Sequence, residues 1–192
     1  LGIGGDRTQH VIWRLDNGNV KNISPKAAVI MIGTNNSGSN SPQEIADGLA
    51  AITKQLREKL PKTKVLLLGV FPRGANKDDA RRKVNEKANA IFKKLADGKD
   101  VHYLDIGDKF LEADGTLTRK IMPDLLHLSE EGYTIWAESI EPTLKKLMGD
   151  QDHIGENLRA YMQAFAPAVR DIFESFEFHI LMMPATLTPT LS

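Results

Sequence analysis

Pro25-Lys26-Ala27-Ala28-Val29-Ile30-Met31-Ile32-Gly33-Thr34-Asn35-Asn36 is the stretch on which the fold turns. Residues 27–32 are apolar without a break, bounded by a proline on one side and a glycine on the other. A strand that alternates polar and apolar residues has one wet face, whereas an unbroken run of this length reads as a strand buried on both faces of a parallel sheet. Downstream, Ser41-Pro42-Gln43-Glu44 carries the signals of a helix start: a capping serine, a proline at the first helical position, and a glutamate that can close a capping box. Ile45, Leu49, Ile52 and Leu56 then repeat on one face, and Pro61 ends the helix. Residues 65–70 form a second buried strand. Residues 76–96 form a helix with Val84, Ala88, Ile91 and Leu95 aligned, and residues 101–104 form a short third strand. Ser129 caps a last long helix that carries Tyr133, Trp136, Ile140, Leu144 and Leu147, with a kink expected at Pro142. The alternation of strand and helix predicts an α/β fold built on a doubly wound, three-layer parallel sheet.

Composition narrows the function classes. The 192 residues are 41% apolar, enough for a real core, and 25 basic residues balance 25 acidic ones. A neutral chain has no electrostatic footprint for nucleic acid, so no nucleic-acid partner is expected. With no cysteine, disulfides, thiolate metal sites and a cysteine nucleophile are excluded. No apolar run approaches the ~18 residues of a membrane span, and no signal peptide is visible, so the expected compartment is the cytoplasm. Assembly into a homo-oligomer stays open. The chain opens in mid-motif at Leu1-Gly2-Ile3-Gly4-Gly5-Asp6, so a preceding segment is expected.

In a parallel sheet the chemistry sits in loops leaving the carboxyl ends of the strands, and three loops carry suitable residues. Gly4-Gly5-Asp6 offers bare N–H groups and close backbone approach. Gly33-Thr34-Asn35-Asn36 places a neutral amide donor beside a strand end, the kind of group that binds an oxyanion without adding charge. Asp124-Leu125-Leu126-His127 puts an acid where it can accept the imidazole N–H and hold one tautomer. Taken singly, the first two are also ordinary turn chemistry and the third an incidental surface pair. The other histidines (His10, His102, His153 and His179) lack such a setting, and both tryptophans, Trp13 and Trp136, are expected in the core.

The order of these blocks, each after a strand or before the last helix, resembles the SGNH (GDSL-type) hydrolase family and within it the platelet-activating-factor acetylhydrolase branch. The likeness extends to His10-Val11-Ile12-Trp13-Arg14-Leu15 and Leu68-Gly69-Val70-Phe71-Pro72-Arg73-Gly74, and it covers residues 1–148. It implies a flavodoxin-like fold and a serine ester hydrolase acting on short acyl esters. The Gly5 N–H and the Asn35 amide would hold the oxyanion, His127 would be the catalytic base and Asp124 its orienting acid. Arg73 would stand at the rim of the substrate pocket. No metal or organic cofactor is implied. In the family the nucleophile lies in a Gly-Asp-Ser block on the first strand, upstream of Gly-Gly-Asp, and none of this chain's serines has that context. The domain is therefore expected to be N-terminally incomplete, lacking its first strand, a helix and its second strand, with an unpaired sheet edge and an uncovered apolar face, and to be inactive alone. The alternative is a non-catalytic binding or scaffold protein on the same fold.

Composition shifts after residue 148. Residues 149–179 hold four of the seven phenylalanines (Phe165, Phe173, Phe176 and Phe178) and read as a helical appendage. Residues 151–179 resemble part of the methylation subunit of type I restriction–modification systems, without that protein's methyl-donor signatures. Residues 180–192, with Pro184 and Pro189, read as a loose tail.

Overall fold

The computed structural model describes residues 4–149 and 179–183. The helical appendage expected over 149–179, and the restriction–modification resemblance of 151–179, fall almost entirely outside the described residues. The chain order is α1 (Thr8–Asp16), β1 (Ala27–Met31), a 3-10 turn at Thr34–Asn36, α2 (Pro42–Lys59), β2 (Lys64–Leu68), α3 (Ala80–Phe92), β3 (Val101–Leu104), α4 (Glu130–Met148) and β4 (His179–Met183).

The sheet order is β3-β2-β1-β4. The strands β1, β2 and β3 are parallel, with Ala27 opposite Lys64 and Val65 opposite Val101. All five residues of β1 are buried, as its unbroken apolar run requires. Successive side chains point to opposite faces and enter two separate cores. Ala27, Val29 and Met31 pack with Leu66, Leu68 and the Tyr133, Trp136, Ile140 and Leu144 face of α4. Ala28, Ile30 and Ile32 pack with Val65, Leu67, α1 residues Val11 and Leu15, α2, and Ala88 and Phe92 of α3. These are the three layers the sequence predicts.

The start of α2 is read correctly to the residue. The Ser41 Oγ accepts from the Glu44 N–H at 3.2 Å, and the Ser41 N–H donates to the Glu44 carboxylate at 2.7 Å. Ile45, Leu49, Ile52 and Leu56 are fully buried, each contributing about 1.5–3 kcal/mol relative to exposure. The helix α4 begins at its Ser129 cap as expected and runs on through Pro142.

Four expectations need correction. The predicted open edge of β1 is covered, because β4 pairs antiparallel along all five residues of β1, from Ala27 opposite Met183 to Met31 opposite His179. Part of the predicted loose tail is therefore a strand. A five-residue segment satisfies the N–H and C=O row that an edge strand otherwise leaves bare. The sheet is consequently parallel in three strands and antiparallel in the fourth, and both faces of β1 are covered by helices. The second correction concerns Trp13, which is 62% exposed: α1 turns Val11 and Leu15 inward and Trp13 away. The third concerns α3, which buries Arg82, Asn85, Ala88, Asn89 and Phe92, leaving Val84 and Ile91 only partly covered. Last, α3 proper is shorter than predicted, capped by Asp79 at its start and tightening to a 3-10 turn at Lys93–Leu95.

Candidate active site

Gly33 ends β1 with φ +128°, and a Cβ there would stand 2.9 Å from Ile45 Cγ2 and 3.2 Å from Val70 Cγ2. Only glycine fits both the dihedral and the space, and the chain then winds into the Thr34–Asn36 turn. Its two asparagines do different work. Asn36 is buried and structural: its Oδ1 accepts from the Thr8 N–H at 3.1 Å, capping α1, while its Nδ2 contacts the Gln9 and Asn40 side-chain oxygens at 3.0 Å. Asn35 is only partly covered, and its Nδ2 donates to the main-chain oxygen of Asp6 at 3.1 Å. That contact binds the Gly33–Asn36 loop to the Gly4-Gly5-Asp6 loop, where Gly5 is exposed and has φ +72°. The structure thus brings Gly5 and Asn35 to the same place, joined through Asp6.

Asp6 is itself buried and clamped. Arg14, two helical turns along α1, donates to both carboxylate oxygens at 3.0 and 3.1 Å, a bidentate geometry of the strong kind. The interaction with Asp6 holds the Arg14 guanidinium above its ordinary pKa. Neither residue stood out in the sequence as a pair, because Asp6 precedes the helix that carries Arg14.

Asp124 and His127 form the second half of the site. One carboxylate oxygen of Asp124 receives the Leu126 and His127 N–H groups at 3.0 and 2.8 Å, which closes the loop on itself. The other oxygen lies 2.5 Å from His127 Nδ1. A single carboxylate therefore builds the loop and aims the ring. Between them, Leu125 takes φ +63°, a left-handed conformation that costs a residue with a Cβ roughly 1 kcal/mol or more. The loop is held there by Leu125 N–H donating to Met122 O at 2.8 Å and by Gly74 N–H donating to Leu125 O at 2.9 Å. Burial pushes the Asp124 carboxyl upward, but the His127 ring and the two N–H groups outweigh it, and the net shift is below the usual carboxylate range.

Arg73 lies in the loop leaving β2, half-covered rather than solvated. Its guanidinium donates to Thr34 Oγ1 at 3.0 Å and Thr34 O at 3.3 Å, so it abuts the Gly33–Asn36 turn. Among the other histidines, His10 accepts the Arg7 N–H at 3.0 Å and His102 lies 3.3 Å from Lys99 O. His179 lies in β4, and His153 is outside the described residues. The residues the sequence missed are on α3: Arg82, Asn85 and Asn89, all buried and all turned toward the same loop as Arg73.

A three-layer α/β sheet with a glycine-rich loop, an asparagine turn after β1 and an Asp-x-x-His loop before the last described helix describes an SGNH-type acylhydrolase. Residues 1–135 match the model of the GDSL-like lipase/acylhydrolase family, and the chain belongs to that family. It is 37% identical over 158 residues to the human platelet-activating factor acetylhydrolase IB subunit alpha1, covering 82% of this chain and 68% of that one. To the rat subunit alpha2 it is 39% identical over 152 residues, covering 77% and 64%. The chain thus spans about two thirds of the length of these curated relatives. The fold also matches the crystal structure of a candidate acylhydrolase from Bacteroides fragilis, with a TM-score of 0.63 at 21% identity over 74% of this chain and 72% of that one. Among the described residues no helix is long and apolar enough to cross a membrane.

Proposed function

We propose that this chain carries the oxyanion and base halves of a serine ester hydrolase for short acyl esters of the acetylhydrolase kind. The observation that carries the reading is the Asp124–His127 contact, in a loop tied by Gly74 to the segment that also reaches the asparagine turn. In the reaction, a serine hydroxyl attacks the acyl carbon and passes its proton to His127 Nε2, the ring nitrogen left to accept it when Nδ1–H is held by Asp124. The carbonyl oxygen becomes an oxyanion, received by the Gly5 N–H and by the second hydrogen of the Asn35 amide, whose first is given to Asp6 O. The tetrahedral adduct then collapses, and the alkoxide leaves with the proton from His127. Water repeats the sequence on the acyl-serine. Removing one such amide donor costs about 3–4 kcal/mol of transition-state stabilisation in a studied protease.

Four of the described serines are engaged in local structure. Ser37 Oγ donates to Thr34 O at 2.6 Å, Ser41 and Ser129 cap helices, and Ser139 Oγ donates to Ile135 O. No serine follows a Gly-Asp pair.

The test is hydrolysis of a short-chain aryl ester together with labelling by a serine-reactive phosphonate. The chain should show neither above background. Hydrolysis abolished by His127→Ala would mean that one of the chain's own serines is the nucleophile. Hydrolysis untouched by that substitution would remove His127 from the base role.

A further inference from the structure

The helix α3 turns a polar face inward, and nothing in the proposed reaction uses it directly. Arg82, Asn85 and Asn89 follow one another at spacings of three and four and are 1%, 1% and 7% exposed. All three address the main chain of one short segment, residues 70–74. Asn89 clasps Val70 twice, accepting its N–H at 2.8 Å and donating to its carbonyl at 3.0 Å. Asn85 Nδ2 stands 3.4 Å from Phe71 O and 3.5 Å from Thr34 Oγ1. Arg82 donates from Nε to Arg73 O at 2.9 Å and from its two terminal nitrogens to Gly74 O at 3.2 Å and Gly115 O at 2.8 Å.

From the segment so held, two contacts lead out to the two halves of the site. The Arg73 guanidinium reaches Thr34, the residue before Asn35. The Gly74 N–H reaches the carbonyl of Leu125, two residues before His127. Residues 73 and 74 therefore form a bracket between the oxyanion loop and the base loop, and Arg82 holds both of their carbonyls.

We propose that Arg82 is a positioning residue that sets the base loop against the oxyanion loop through this bracket. Three carbonyls from two loops converge on one planar guanidinium, whose N–H groups leave in fixed directions. A lysine ammonium is a single point and cannot meet all three. Burial disfavours the Arg82 charge and lowers its pKa, while Glu86 and Asp79 act in the opposite direction from a distance. An apolar side chain would fill the same volume without that desolvation, but it would leave the bracket unheld. The roles of Asn35 and His127 in this account rest on the hydrolase reading; the bracket itself rests on the contacts above.

The experiment is NMR of the isotope-labelled 192-residue chain, comparing R82M, R82K and L56A. Leu56 is fully buried in α2 and makes none of these contacts, so L56A reports the effect of lost stability alone. The expected result is that R82M moves the His127 ring signals, the Leu125 amide and the Asn35 side-chain amide together, with loss or broadening of the low-field His127 Nδ1 proton. L56A should leave all four in place despite a lowered melting temperature. R82K, which keeps the charge, should shift the same set by a smaller amount, and it carries the test if R82M does not fold. Lowered melting with those signals unmoved in the folded arginine variants would make Arg82 a purely structural residue and overturn the proposal. Titration of the unmutated chain with acetate tests the hydrolase reading separately. Coupled shifts in R82M without acetate binding would sink that reading and keep the bracket, and acetate binding with no coupled shifts would do the reverse.

Discussion

The helices α2 and α3 cover the same side of the sheet and do so by opposite means. The inward face of α2 is aliphatic, with Ile45, Leu49, Ile52 and Leu56 all at zero exposure. The inward face of α3 is largely amide and guanidinium, and its partners are mostly main-chain groups of residues 70–74 and 115. An apolar face is satisfied by any closely packed neighbour, so α2 holds the sheet without specifying a loop. A buried polar face needs each donor matched to an acceptor in a fixed direction, so α3 holds one loop in one shape. On this account α2 serves mainly stability, and α3 serves the shape of the loop at residues 70–74.

Substitutions sharpen that contrast. Leu49→Ala should cost about 2–5 kcal/mol in urea unfolding, because a buried leucine loses its transfer energy and leaves a cavity. The site resonances of the surviving folded protein should stay unchanged. Arg82→Met should cost less, roughly 2–4 kcal/mol, since each buried carbonyl deprived of its donor costs about 1–3 kcal/mol and loop carbonyls recover water in part. A loss for Arg82→Met as large as that for Leu49→Ala, with no change at His127, would erase the distinction between the helices. Ser41→Ala should cost about 1 kcal/mol through the lost cap, again without effect at the site.

Acid gives a further handle on the Asp124–His127 loop. The Asp124 carboxyl is held below the ordinary range in the folded chain, so the folded state binds the proton less readily than the unfolded state. Its contribution to stability is therefore complete above the unfolded value, near pH 4, and is lost as pH falls through the lower folded value. In Asp124→Asn that acid-side loss should disappear from the pH dependence of unfolding. The smallest effect is expected at Trp13→Ser: an exposed side chain should change stability by no more than about 0.5 kcal/mol.

How much of this was legible depends on whether a residue acts through pattern or through the main chain. The run at residues 27–32, the Ser41 capping box and the α2 face are periodic or positional signals, and each reappears in the structure. Asp124 and His127 were legible because a three-residue spacing is short enough to imply contact. The Arg82, Asn85 and Asn89 face has helical spacing and could have been noticed, but three polar residues on a helix ordinarily mean a solvated side. Their partners are mostly main-chain groups, which every residue owns, so no sequence feature marks them. The pairing of β4 with β1 escaped for a related reason. His179-Ile180-Leu181-Met182-Met183 is too short to declare a period, and edge pairing depends on a strand far away in sequence. Trp13 was misplaced because its chemistry suggests the core, whereas the α1 face is set by Val11 and Leu15.

The account stands most directly on whether Gly5, Asn35 and His127 belong to one acyl-binding site. Acetate, the product of the proposed reaction, can be titrated into the labelled chain while the Gly5 amide, the Asn35 side-chain amide and the His127 ring signals are followed. The prediction is that all three move together along one saturable curve, and that His127→Ala leaves the Gly5 and Asn35 responses in place. Three signals that stay still at saturating acetate, or that follow different curves, would contradict it.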